Sequence, residues 1–283
     1  MQQDGIALVA FDDSHLDGAL RLSQEAGWPH RREEWAMLLA LGQGFVALDG
    51  ATVVGTAILT PFGNDHAAIS MVIVAGAMRG RGLGRQLMDT ALRHAGRREC
   101  RLTATAAGLP LYEKLGFRPT HEIRQHQGVP TALPEPALPD GMALDWAGSE
   151  ALPALAALDA QALGLDRRPL LRLLAQVGRV FLLREAGRIA GYGVLRRFGR
   201  GEVIGPVVAA SPDQARCLLS ALIGASAGDF LRVDTPEWDV LSPWLAARGL
   251  VGVGGGIAMR RQARQASPTG PAKPFALASQ GLG

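Results

Sequence analysis

The stretch FVALDGATVVGTAIL at 45–59 lies over FLLREAGRIAGYGVL at 181–195, with Gly55 on Gly191. Further along, LYEKLGF at 111–117 lies over WLAARGL at 244–250, with Gly116 on Gly249. Two matched blocks at nearly one offset, each carrying a glycine at the same place, read as an internal duplication of roughly 120 residues. No other feature constrains the fold as much. Each copy has to complete a fold of ordinary single-domain size. Where the copies differ is where their roles differ.

Between the copies, GVPTALPEPALPDG at 128–141 repeats proline and offers little to a core, as an extended linker does. The expected organisation is a first domain over 1–127, the linker over 128–141, a second domain over 142–262, and an Ala/Pro-rich tail over 263–283. Most of the tail reads as loosely ordered, with PFALA able to dock an apolar side chain.

The first copy starts with a strand from Ile6 to Phe11. A helix capped by Asp13 or Ser14 and ended by Gly27 follows, then a second helix over Arg32–Leu41. Two strand-like runs meet at Asp49-Gly50, a strong hairpin signal. AAISMVIVA is apolar throughout and reads as a central strand. A glycine loop, a helix from Leu83, the strand RLTATA and the short helix of LPLYEKLGF complete the copy. The second copy repeats this order. The fold class is therefore α/β (α+β), two tandem domains.

With 48% apolar residues and 19% charged, the chain has material for two cores. A formal charge of +3, with no basic stripe interleaved with aromatics, argues against a nucleic-acid partner. The longest apolar run, AAISMVIVAGAM, is 12 residues and too short to span a bilayer. MQQDGIALVAFDD lacks the regions of a signal peptide. A cytoplasmic protein with no membrane partner is expected. Cys100 and Cys217 fit no metal spacing and read as reduced structural thiols. The six histidines do not pair at ligand spacing, so no metal site is expected.

The loop MRGRGLGRQLMD at 78–89 belongs to the first copy alone. Alternating glycines let several N–H groups turn into one concavity, and the helix behind adds the positive end of its dipole. That combination suits a phosphate or pyrophosphate, and Arg79, Arg81 and Arg85 add charge. A P-loop would end in Gly-Lys-Ser/Thr, but Arg85 and Gln86 follow Gly84. A dinucleotide fingerprint would place its third glycine at 85, which is arginine. R-x-x-G-x-G after an apolar strand is the pattern that Arg79, Gly82 and Gly84 fit.

VIVAGAMRGRGLGRQLM resembles the acetyl-CoA binding motif of the GNAT superfamily of N-acetyltransferases, and LPLYEKLGF resembles its later motif at the right distance. The resemblance implies a mixed, largely antiparallel sheet in each domain, flanked by helices, with a splayed central strand pair. It implies acetyl-CoA as cosubstrate. Pantetheine would lie along Val72, Ile73 and Val74, and the pyrophosphate in the loop of Arg79, Gly80, Arg81, Gly82, Leu83, Gly84 and Arg85. Thr105 and Lys114 are further expected contacts. Gly76 stands where the family often has proline, and Thr105 where it commonly has asparagine.

Acetyl transfer to an amine needs a neutral amine, a donor for the oxyanion and a proton for the leaving thiolate. By resemblance Tyr112 serves the thiolate, although a tyrosine packed between helix and sheet would look the same. The N–H near Val74 is the expected oxyanion donor. Glu25, His30, Asp65 and His66 are candidate bases, and His66, at the start of the central strand, is the one selected. Trp28 and Trp35 line an acceptor pocket or simply pack helices. The expected acceptor is a primary amine of a small molecule, with a protein amine as the second choice. A homodimer is among the assemblies the sequence allows.

The second copy has VIGPVVAASPDQARCLL in place of the loop, with Pro212 and Asp213 starting the helix and Leu245 at the tyrosine position. It resembles a GNAT fold without its cradle. Asp166, Arg167, Tyr192, Arg196 and Asp234 are its polar candidates for an acceptor or effector pocket. The alternative function is a CoA-binding sensor or scaffold whose second domain binds a separate ligand or partner.

Overall fold

The computed structural model describes residues 5–131, 138, 141–264 and 269–283. Most of the expected linker (132–137 and 139–140) and residues 265–268 of the tail lie outside the described residues. The chain forms two compact units. One gathers Met1–Leu102, Pro110–Arg118 and Arg260–Ala263; the other gathers Thr103–Leu109, Pro119–Met259 and Arg264–Gly283.

The first unit runs β1 (Ile6–Phe11), α1 (Leu16–Glu25), α2 (Arg32–Leu41), β2 (Gln43–Asp49), β3 (Thr52–Phe62), β4 (His66–Val74), α3 (Leu83–Ala95), β5 (Glu99–Ala104) and α4 (Leu109–Lys114). Its strands lie in that order and pair antiparallel, except β4 with β5, which are parallel. The turn into α1 is capped one residue earlier than expected: Asp12 accepts from Ser14 N at 3.0 Å. At α2, Arg31 N donates to Glu34 Oε2 at 2.5 Å, which closes the helix start on itself.

The rest of the chain runs β6 (Arg118–Gly128), β7 (Met142–Trp146), α5 (Leu152–Leu163), α6 (Arg168–Val177), β8 (Gly178–Glu185), β9 (Arg188–Phe198), β10 (Gly201–Ala209), α7 (Pro212–Ala225), β11 (Leu231–Thr235), α8 (Trp238–Ala246), β12 (Val251–Arg261) and β13 (Lys273–Ala276). In the second unit the strand order is β12-β6-β11-β10-β9-β8-β7, with β13 also on β10. Again one central pair, β10 with β11, is parallel. The expected mixed α/β architecture is thus present in both copies. Each has a largely antiparallel sheet with helices packed on it. The tail corrects its expectation: Lys273–Ala276 is a strand, and Phe275, Ala276 and Ala278 are fully buried. Among the described residues no helix is long and apolar enough to cross a membrane.

The glycines that revealed the duplication have the same work in both units. A Cβ on Gly55 would come within 2.9 Å of Leu87 on α3; one on Gly191 would come within 3.2 Å of Leu218 on α7. The helix behind each central strand therefore seats directly on the neighbouring strand. Gly116 and Gly249 end the short helices with φ of 86° and 81°. Behind them Phe117 N donates to Tyr112 O and Leu250 N to Leu245 O, each at 3.0 Å. This left-handed helix ending favours glycine strongly.

Candidate active site

β4 and β5 pair only at their starts, His66 with Glu99, Ala67 with Cys100 and Ala68 with Arg101. Past Ala68 the strands part. From Ile69 to Val74 that edge of β4 has no strand partner among the described residues. On the opposite edge β3 carries one residue fewer: Thr56 faces Ile73, and Ile58 faces Ser70. Met71 sits in this bulge at φ 53°, a costly conformation for a residue with a long side chain. Thr56, itself buried, holds it by donating Oγ1 to Met71 O at 2.7 Å. A bulge bends its strand and adds twist, and this one lies just beyond the point where β4 leaves β5. Nothing in the sequence announces it, since nothing marks methionine for positive φ.

The loop turns through Gly76–Met78 and then through Gly80 and Gly82 at φ 76° and 78°. A Cβ on Gly76, Gly80 or Gly82 would meet nothing within 4 Å, so these glycines border open space. Gly82 is the N-cap of α3, and among the described residues no side chain caps the helix. Gln86 N donates to Gly82 O at 3.1 Å, but the amides of Gly80 through Arg85 find no acceptor among the described residues. Leu83 turns its side chain inward among Ala47, Val54 and Met78, which leaves its amide as its contribution. Arg79, Arg81 and Arg85 are exposed. Arg79 Nε lies 3.5 Å from Val74 O, Arg81 Nη1 lies 3.2 Å from Met78 Sδ, and Arg85 pairs with Asp89 at 3.6 Å.

A Cβ on Gly84 would lie 3.5 Å from Leu111 and 3.7 Å from Val74. The start of α3, the end of β4 and α4 therefore meet at one point. Tyr112 follows on α4, with 8% of its surface exposed and its ring 6.1 Å from Phe117. Burial pushes its phenol up to about 12, so it stays protonated in neutral solution. Among the described residues nothing is hydrogen-bonded to its hydroxyl. Lys114 is exposed on the same helix. Thr105 clusters with the other unit. There its carbonyl accepts from Gly108 N and Leu109 N at 3.0 Å each, and its hydroxyl from Gly108 N at 3.3 Å, shaping the turn into α4.

Val72–Val74, the glycine loop and Tyr112 are thus brought together. His66 is not. It is buried where β4 and β5 still pair, at the closed end, roughly 25 Å along the strand from Val74. The other base candidates are scattered. Glu25 pairs with Arg21 at 2.5 Å, and Asp65 O accepts from Glu99 N at 2.8 Å. His30 stands 5.8 Å from Trp28 and 6.5 Å from Trp35. Trp35 is a core residue, fully buried, with Nε1 donating to Ser23 Oγ at 3.3 Å.

The second unit holds a buried polar cluster. Arg167, 1% exposed, donates Nε and Nη2 to Asp159 at 3.0 and 2.6 Å. Tyr192 OH donates to the same carboxylate at 2.5 Å. Burial works against the Arg167 charge, but Asp159 more than offsets it, and the guanidinium pKa lies above its ordinary value. Asp166 is not in this cluster; it pairs with exposed Arg168 at 2.6 Å. The member that sequence reasoning missed is Asp159. Its signal was a single acid within the Ala/Leu run of α5. Asp234 is buried and held by Arg232 at 2.8 Å.

A family model described as the acetyltransferase (GNAT) family matches residues 8–117, and one described as the acetyltransferase (GNAT) domain matches 155–269. A Bacillus subtilis (strain 168) protein named as the uncharacterized N-acetyltransferase YitH is 29% identical over 238 residues, covering 81% of this chain and 82% of the relative. A proposed acetyltransferase from Pyrococcus horikoshii superimposes with a TM-score of 0.78 at 20% identity, over 100% of this chain and 98% of that one. A tandem GNAT protein from the clavulanic acid biosynthesis pathway superimposes at 0.66 with 16% identity, over 92% and 99%. At such identities the two structures speak for the fold alone.

Proposed function

Starting from a chain that belongs to the GNAT acetyltransferase family, with two GNAT domains in tandem, we propose that its first domain moves an acetyl group from acetyl-CoA to the primary amine of a small molecule. The observation that carries this reading is the set of loop amides. Gly80 to Arg85 present N–H groups that have no acceptor among the described residues, at the head of a 13-residue helix and beside glycines that border open space. Residues of this kind fit a pyrophosphate through N–H donors and the helix dipole, with Arg79, Arg81 and Arg85 adding charge.

The cosubstrate would supply the acetyl group as a thioester. The chain's own residues do the rest. The partnerless edge of β4 from Val72 to Val74 would bond the amides of the pantetheine arm as an added strand does. An N–H on that edge would take the oxyanion. Tyr112 Oη, protonated and without a protein partner among the described residues, would hold and deliver the proton to the leaving sulfur. No base is assigned. His66, the expected base, is separated from this end of β4 by most of the strand, so the amine proton leaves by another group or by water.

The test is calorimetric titration of acetyl-CoA, followed by a panel of small amines. The expected result is one site per chain, lost in Gly82→Asp. That substitution adds a carboxylate where there is room for it but no tolerance for its charge. Gly82→Ala is the control for backbone strain. No binding to the parent chain would end the reading. Binding without turnover across the panel would favour the sensor alternative.

A further inference from the structure

The parted strands of the first unit have a counterpart in the second, and there the gap is filled. β10 and β11 pair from Glu202–Leu231 to Ile204–Val233 and then separate. A bulge lies at the matching place, with Leu195 facing Ile204 and Gly193 facing Val207. β13 runs into the opening. It pairs antiparallel with β10, Ala276 opposite Val207 and Lys273 opposite Ala209. Just beyond it, Leu277 N donates to Asp234 O of β11 at 2.8 Å. The tail therefore bonds to both parted strands.

Its side chains and carbonyls are equally well received. Phe275 and Ala276 belong to the main apolar cluster of the unit, with Val207, Leu218 and Val233. Buried Arg196 donates Nη2 to Ala278 O at 2.9 Å, and buried Arg167 donates Nη1 to Gly283 O at 2.7 Å. Gln280 Nε2 donates to Asp234 Oδ1 at 2.9 Å. A Cβ on Gly205 would sit 1.9 Å from Leu277 O, so the bulge of β10 has a glycine where the tail comes closest.

The helix behind β10 is closed as well. Ser211 Oγ accepts from Gln214 N at 3.3 Å, Gln214 Oε1 accepts from Ala210 N at 2.9 Å, and Pro212 has no amide to offer. Asp213 adds negative charge in the first turn, paired with Arg216 at 3.0 Å. Among the described residues no side chain caps the corresponding helix start of the first unit. Strand gap and helix start are open in one copy and closed by the chain itself in the other.

We propose that the cleft of the second unit is a strand-accepting peptide site whose ligand is the chain's own segment Lys273–Gly283, so that no acyl-CoA enters there. Main-chain pairing with β10 would accept many extended peptides. The Phe275 seat and the carbonyl contacts of Arg167 and Arg196 select this one. The site does not depend on the activity proposed for the first unit.

A specific-protease sequence is inserted immediately before exposed Thr269 of the full chain, and the folded protein is cut with that protease. The expected result is that fragment 269–283 stays with the rest of the chain through gel filtration and in native mass spectrometry. Phe275→Ala should speed its release roughly a hundred-fold or more, since emptying a buried phenylalanine seat costs that much. Gly205→Ala, which pushes a methyl into the Leu277 carbonyl, should also speed release. Both substitutions lie in the second unit, and far-UV circular dichroism with the thermal transition of the uncut chain reports that each variant has folded. Loss of the parent fragment on first passage would overturn the proposal, as would a second acetyl-CoA site per intact chain. A chain that holds the fragment but binds no acetyl-CoA would uphold the peptide site while refuting the acetyltransferase reading.

Discussion

The buried environment of Tyr112 bears both on the role proposed for it and on a pH range. Desolvation raises its phenol from 10.0 to about 12, so the folded chain binds that proton more tightly than the unfolded one. Over two pKa units the charged form costs the fold roughly 3 kcal/mol; that cost is absent below pH 10 and grows as the pH climbs from 10 to 12. Tyr112→Phe should abolish that alkaline loss in denaturant titrations. It should also lower kcat roughly ten-fold or more with the KM for acetyl-CoA unchanged, as expected when a proton donor acts only in the transition state. An unchanged kcat would leave the ring as packing against Phe117 and nothing more. The place of Tyr112 on a short helix was legible because its motif ends at Gly116, whose left-handed backbone fixes the turn. His66 was selected on strand position alone, and position along a strand does not tell which end of a parallel pair opens. Asp159 was not singled out because it stands in an Ala/Leu-rich helical run, and only the fold brings it to Arg167 and Tyr192.

At the level of elements, the bulge in β4 is the piece that sets the site. Thr56 is the buried donor that satisfies Met71 O. Thr56→Val keeps the shape and removes the hydrogen bond, leaving a buried carbonyl unpaired at a cost of about 1–3 kcal/mol. The expected outcome is a lower urea midpoint together with a raised KM for acetyl-CoA, and Thr56→Ser should restore both. A stability loss with an unmoved KM would mean that β4 keeps its path without this contact. The sequence pointed to a central apolar strand here, and that strand exists. Its bulge was invisible, because a bulge depends on the register with β3 and not on the composition of β4. β13 was missed for a related reason. Lys-Pro-Phe-Ala has neither the length nor the alternation of an ordinary strand, and it forms one only because β10 and β11 part and leave bonding groups to be met.

For the whole molecule, the duplication was readable because its glycines answer packing demands that both copies share, helix on sheet at Gly55 and Gly191, helix ending at Gly116 and Gly249. Residues 119–128 were harder to place. They close the first copy in sequence, yet they pair with β11, from Gly128 opposite Leu231 to Arg124 opposite Thr235. Two units of one fold, one with an open cradle and one closed by its own tail, predict an asymmetric response to ligand. A ligand that binds only the folded site stabilises it by RT ln(1 + [L]/Kd), about 2.7 kcal/mol at a hundred times Kd. Hydrogen exchange with saturating acetyl-CoA should therefore slow at the amides of Val72–Val74 and Gly80–Arg85, whose N–H groups would gain acceptors. The amides of Leu277 and Ala278 already have partners in Asp234 and Gly283. They should be protected before any ligand is added and should not change with it. Slowing at 205–214 to the same degree as at 72–85 would show that the second copy still takes the cosubstrate. Slowing at neither would show that the first copy does not take acetyl-CoA at these amides.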